Sequence, residues 1–161
     1  MRCKSLFLFA LGVSLFSVTG CKPNPELLMT AVRADNTAEA IKLLGKGADP
    51  NSRSSPNGWS ALHYAAMNGN VEIVKALIKY GADPNYSATK DGTGNAVLDV
   101  KPYSLALGML DVVCEVEPKE IEAKLRENGL NDPVLLKNAK DPNAIEHYQD
   151  VVELLINITK V

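Results

Sequence analysis

Histidine and cysteine are scarce in this chain, with two and three residues respectively among 161. His63 and His147 stand far apart, and no Cys/His cluster has the spacing that a metal site uses, so no metal is expected. Three scattered cysteines are too few for a disulfide framework. Once a leading segment is removed, only Cys114 remains inside the folded part without a sequence partner, and a buried or half-buried inert thiol is expected there. An excess of one charge is missing as well. The formal net charge is −2, becoming about −4 when Arg2 and Lys4 leave with the leading segment. With no basic patch, nucleic acid is not an expected partner. No phosphate-cradling loop is expected, because Lys90-Asp91-Gly92-Thr93-Gly94 is read as a turn that neither follows a strand nor opens into a helix. No pair of carboxylates is placed for acid–base work, and no cofactor is expected.

What the chain does have begins with Met1–Gly20. Arg2 and Lys4 precede an apolar run from Leu6 to Val18, too short for a spanning helix and suited to a signal peptide over residues 1–20. The run ends in Val18-Thr19-Gly20-Cys21, which resembles the lipobox of bacterial lipoproteins. That resemblance implies cleavage before Cys21 and lipid on its sulfur. The competing readings are a plain cleaved signal peptide and an uncleaved anchor. Lys22, where an aspartate would imply inner-membrane retention, points to the outer membrane, facing the periplasm. A short tether, 21–25, follows. Lys22 to Pro25 reaches at most about 14 Å, which would keep the first helices near the bilayer.

The stretch Gly58–Asn85 organises the rest. Leu62, Ala65 and Ala66 share one helical face, and Ile73, Val74, Leu77 and Ile78 share another. Gly69-Asn70 separates the two helices, Gly81 suits a helix end, and Asp83-Pro84 forces an extended exit. Two helices this short cannot bury their apolar faces alone and need stacked neighbours. The stretch resembles one ankyrin repeat almost from end to end, with Ser60-Ala61-Leu62-His63 where the family writes Thr-Pro-Leu-His.

Residues 26–51 repeat the stretch at an offset of 34, with Leu28 on Leu62 and Ala31 on Ala65. Gly47-Ala48-Asp49-Pro50-Asn51 matches Gly81-Ala82-Asp83-Pro84-Asn85 letter for letter. The Thr-Pro-Leu-His half is absent, as suits an N-terminal cap. After Asn85 the pattern slips into a long loop, Tyr86 to Val100. Lys101-Pro102-Tyr103-Ser104-Leu105-Ala106 then opens a third first helix, and its second helix arrives late, at Asp150–Asn157. Between them lies a helical insert, about 114–145. Pro118 could start one helix, ending at Gly129, while Asp132-Pro133 and Asp141-Pro142 each suit an N-cap followed by proline. Two arrangements stay open: an insert on the side of the stack, or a continuation of it as a fourth repeat.

The expected fold is an all-α ankyrin solenoid over 26–161, with repeats at about 26–51, 58–85 and 101–161. The resemblance implies protein binding and not catalysis, through a concave side built from loop fingers and first helices. Its variable positions here are Arg53 and Trp59 on the first finger, then Tyr64, Met67 and Asn68; Tyr86, Lys90 and Tyr103 extend the same surface. For Trp59 and Tyr64, packing against the neighbouring finger or groove stands beside the partner reading. The resemblance makes His63 structural, with its ring bracing the loop before its helix. Secretion and a lipid anchor suggest a protein partner, with a secreted toxin such as a lipase effector as one concrete case. An envelope scaffold is the alternative and an enzyme site in the insert a remote one.

Overall fold

The computed structural model describes residues 22–54, 58–90 and 96–159, and only the backbone of 89, 90 and 96–99. The leading segment, Cys21 and the side chain of Lys90 therefore lie outside the described residues. The elements run α1 (Pro25–Arg33), α2 (Thr37–Gly45), α3 (Ala61–Asn68), α4 (Val71–Lys79), β1 (Ala88–Lys90), β2 (Ala96–Val100), α5 (Pro102–Glu115), α6 (Ile121–Glu127), α7 (Pro133–Ala139) and α8 (Ala144–Thr159).

Helices pair as α1–α2, α3–α4 and α5–α8. First helices stack in the row α1–α3–α5, and second helices in the row α2–α4–α8. The fold is thus an all-α solenoid of three stacked pairs. The 34-residue offset reappears as repeated chemistry. Asn36 and Asn70 each accept a backbone N–H with their side-chain oxygen, from Glu39 at 3.1 Å and Ile73 at 2.9 Å, and so cap α2 and α4. At the base of the fingers, Asn51 donates to the Gly81 carbonyl (3.0 Å) and accepts from the Asp83 N–H (2.9 Å). The Asn of one Gly-Ala-Asp-Pro-Asn motif thereby clasps the Gly and Asp of the next.

The core runs between the two rows. Leu28, Val32, Leu62, Ala65, Ile73, Val74, Leu77, Val151 and Leu155 are wholly buried; each of the large side chains among them contributes about 1.5–3 kcal/mol over its exposed state. Every residue of α3 is buried, because pairs stack on both of its sides and α7 and α8 close over its end.

Three features depart from the sequence expectation. Within the stretch expected as a loop, β1 and β2 pair antiparallel, Ala88 with Val100 and Lys90 with Ala96 across a register shift; the β-branched Thr89, Val97 and Val100 favour extended backbone despite the turn-rich composition between them. In the insert, α6 begins at Ile121 and not at Pro118, and α8 begins at Ala144, two residues past Pro142. Asp132-Pro133 does start α7, with the Asp132 carboxylate accepting from the Val134 N–H at 2.8 Å. Cys114 is exposed, not buried. It lies on the same side of α5 as the exposed Leu107, on the last pair, where no further pair is stacked among the described residues.

The two arrangements left open for the insert are also separated. α7 packs on α3, and Asn138 on it donates to Asp35 Oδ2 (3.1 Å) in the first pair and to the Asn68 carbonyl (3.0 Å) in the second. The insert folds back along the turn end of the stack and does not lengthen it.

Candidate interaction face

Finger one is built by a short closed turn. The Ser54 N–H donates to the Trp59 carbonyl (2.8 Å), the Gly58 N–H to the Ser54 carbonyl (2.9 Å), and Arg53 bridges Ser60 in antiparallel fashion. This aims Trp59 inward. Its ring lies 6.0 Å from His63, nearly parallel, and 5.2 Å from Tyr64, tilted by 56°. His63 meets Tyr86 edge-on at 5.8 Å. The Tyr86 hydroxyl donates to the Gly58 carbonyl (3.1 Å), and the Ser54 and Tyr64 hydroxyls share a hydrogen bond of 3.1 Å.

His63 joins two repeats. Its Nδ1 accepts from the Ser60 N–H (3.3 Å) and meets the Ser60 hydroxyl at 2.8 Å, which leaves the proton on Nε2 for the Val100 carbonyl at 2.9 Å. Burial pushes its pKa below the ordinary 6.5, and the hydrogen bond to Val100 opposes this more weakly. The ring is therefore a neutral brace between its own loop and the end of β2.

Two arginines lie on this aromatic cluster. The Arg33 guanidinium sits over the Tyr64 ring at 5.4 Å, and that of Arg53 over Tyr86 at 4.1 Å. Both residues are exposed, and neither joins an ion pair among the described residues.

The residues singled out in the sequence divide accordingly. Trp59 (2% exposed), Tyr64 (8%), Met67 (6%) and Asn68 (5%) are buried and do not offer their side chains to a partner. Trp59 and Tyr64 pack in the finger. The end of α3 is covered instead, as the Met67 carbonyl accepts from the Tyr148 hydroxyl at 3.0 Å and Asn68 donates to the Val32 carbonyl at 3.2 Å. Arg53 is exposed, while Tyr86 and Tyr103 are half-buried. Arg33 was not among the sequence candidates. It stands 34 residues before Met67, so the repeat offset alone would have marked it as a variable position.

At the opposite end of α3, a cavity of about 390 Å³ lies between the helix turns and the insert, lined in part by Asp35, Asn70, Lys137, His147 and Tyr148. Burial, with the Asp35 charge as a smaller cause, pushes the Tyr148 phenol above its ordinary pKa. Gly69 is required here. Its φ is +71°, and a Cβ would come within 2.9 Å of the Tyr148 ring. Among the described residues no three His, Cys, Asp or Glu side chains gather to hold a metal, and no helix is long and apolar enough to cross a membrane.

Stacked short helix pairs, fingers clasped by a repeated asparagine and a structural histidine define a repeat solenoid of the protein-binding class. The chain belongs to the ankyrin-repeat family: the family profile of ankyrin repeats in three copies matches residues 13–100, more than half of the sequence. The match begins inside the stretch read as a signal peptide and ends at Val100, ahead of α5. Among curated relatives, the mitochondrial disaggregases of Bos taurus and Homo sapiens are 50% and 47% identical over 58 residues, 36% of this chain and 8% of theirs. Notch-regulated ankyrin repeat-containing protein B of Danio rerio is 37% identical over 75 residues, 45% of this chain and 67% of its own. The chain thus spans less than a tenth of the disaggregases it matches. The ankyrin repeat is an interaction fold, and this chain is a protein–protein interaction module of that kind.

Proposed function

We propose that the chain is a lipid-anchored module of a bacterial envelope, periplasm-facing and on the outer membrane, that holds one dedicated protein partner. The observation that carries the binding reading is the finger-one face, where aromatic packing holds two exposed arginines in place. The anchor rests on Val18-Thr19-Gly20-Cys21. Since α1 already begins at Pro25, the linker from Cys21 reaches about 11 Å when extended, and the first pair would sit against the membrane surface.

Within that reading, the particular role is immunity: a small envelope protein that neutralises a secreted antibacterial toxin such as a lipase effector. A site next to the bilayer suits a guard against an enzyme that attacks lipid. An insert pinned to the stack by Asn138 suits one partner better than many, because a preordered surface loses little entropy on binding. The test is capture from envelope and secreted fractions with the mature chain. One secreted protein retained at equal stoichiometry, and rendered harmless to cells expressing this chain, is the expected outcome. Retention of several resident envelope proteins and no secreted one would favour a scaffold role instead.

A further inference from the structure

We infer that the finger-one face recognises a carboxylate-rich segment of a protein partner, gripped by Arg33 and Arg53. The inference deepens the binding proposal above and rests on it. Four observations converge. First, each guanidinium lies over an aromatic ring, Arg33 on Tyr64 and Arg53 on Tyr86. Such stacking restrains a side chain that otherwise has many rotamers, and it uses the face of the guanidinium, not its N–H edge. Second, neither arginine is matched by a carboxylate among the described residues, although acidic residues outnumber basic ones in the chain, 19 to 17.

Third, the helix and the finger between the two arginines carry no carboxylate. Helix α3 reads Ala-Leu-His-Tyr-Ala-Ala-Met-Asn, and the finger from Asn51 to Ser60 carries no Asp or Glu. Asp49 and Asp83, at the bases of the fingers, are turned to local work, accepting from the Asn51 N–H and the Asn85 N–H, both at 2.9 Å. Fourth, the supports of the two arginines are locked to each other. Tyr64, Trp59, His63 and Tyr86 form a continuous row of ring contacts, so both guanidinium groups are positioned by one rigid cluster. Two restrained forks, unmatched among the described residues and separated by an uncharged helix and finger, fit two carboxylates of one segment, because a guanidinium and a carboxylate pair through two parallel hydrogen bonds. Lysine would supply the charge without that fork.

The experiment uses the full chain in detergent and a fluorescent hexaglutamate peptide as probe, with hexalysine as its control. The expected result is saturable hexaglutamate binding that weakens with added salt and weakens about tenfold or more in Arg33→Gln/Arg53→Gln. Arg33→Lys/Arg53→Lys should recover part of it, and hexalysine should not bind. Equal binding to wild type and the glutamine variant, or none to either, overturns the inference. Binding of anionic phosphatidylglycerol vesicles, but not of hexaglutamate, through the same two arginines would assign the forks to lipid headgroups and overturn it too. Thermal unfolding of each variant guards against misfolding, since neither guanidinium is buried and both variants should melt like the wild type. A partner captured equally by wild type and Arg33→Gln/Arg53→Gln leaves the binding proposal standing and removes this one. Capture of no partner by either removes the binding proposal itself.

Discussion

His63 and its neighbours show how far single residues control the finger. The ring is neutral in the fold because burial disfavours its charged form. Its folded pKa lies below the unfolded one, so the stability it brings is complete above about pH 6.5 and is lost as pH falls through the folded value. Urea midpoints should therefore drop on acidification from about pH 6.5, before the carboxylates titrate near pH 4. His63→Gln should be less stable at pH 8 yet flatter over that window; an equal slope in both proteins would show that His63 is not the group responsible. The residue scale is also where sequence reading divides most clearly from structure. The bracing role of His63 was readable because its motif, Ser60-Ala61-Leu62-His63, is local. The inward turn of Trp59 was not, since its direction depends on the Ser54 and Gly58 hydrogen bonds that close the finger. Arg33 was legible through the 34-residue offset to Met67, although the first repeat lacks the opening motif that draws attention to such positions.

At the scale of elements, the helix pairs were legible and the insert was only half so. An offset of 34 residues carried α1 to α4, because each helix repeats its own apolar face, and α2 and α4 repeat an asparagine cap as well. The late arrival of α8 could be read from Asp150–Asn157, whose apolar pattern matches α4. Where the insert lies could not, since the hydrogen bond that places it, Asn138 to Asp35, joins residues 103 apart in sequence. The hairpin was hidden for a different reason: its strands are short, and glycine-rich turn composition between them dominates the local signal. Asn138→Ala tests the insert's attachment. It removes a donor from Asp35 Oδ2 and from the Asn68 carbonyl, and urea unfolding should show a loss of about 1–3 kcal/mol. Amides of α6 and α7 should exchange faster in the variant. Unchanged stability would mean that packing of α7 on α3, and not this polar clasp, fixes the insert.

At the scale of the whole molecule, the fold and the proposed envelope location rest on separate parts of the chain. Among the described residues no helix is long and apolar enough to cross a membrane, and the proposed anchor rests on one sulfur. Cys21→Ser, expressed with the native leading segment, should move the protein from the membrane pellet to the soluble periplasmic fraction while its circular dichroism stays helical. Persistence in the pellet would mean that the apolar run from Leu6 to Val18 itself remains as the anchor. In either case the ankyrin stack and its finger-one face should form, because their core lies wholly within residues after the tether.

The clasp of Asn138 on Asp35 and Asn68 changes the arithmetic of unfolding. A linear array of repeats loses its outermost unit first, since each unit is held only by the next. Here a segment that belongs, in chain order, to the last unit reaches past its neighbour to the first, so the array is stapled across its length. Fraying of the first pair therefore breaks a contact of the last unit as well. A ligand gripped by Arg33 on the first pair and Arg53 on the first finger would then steady the distant insert along with them, and protection from proteolysis on binding should extend to α7.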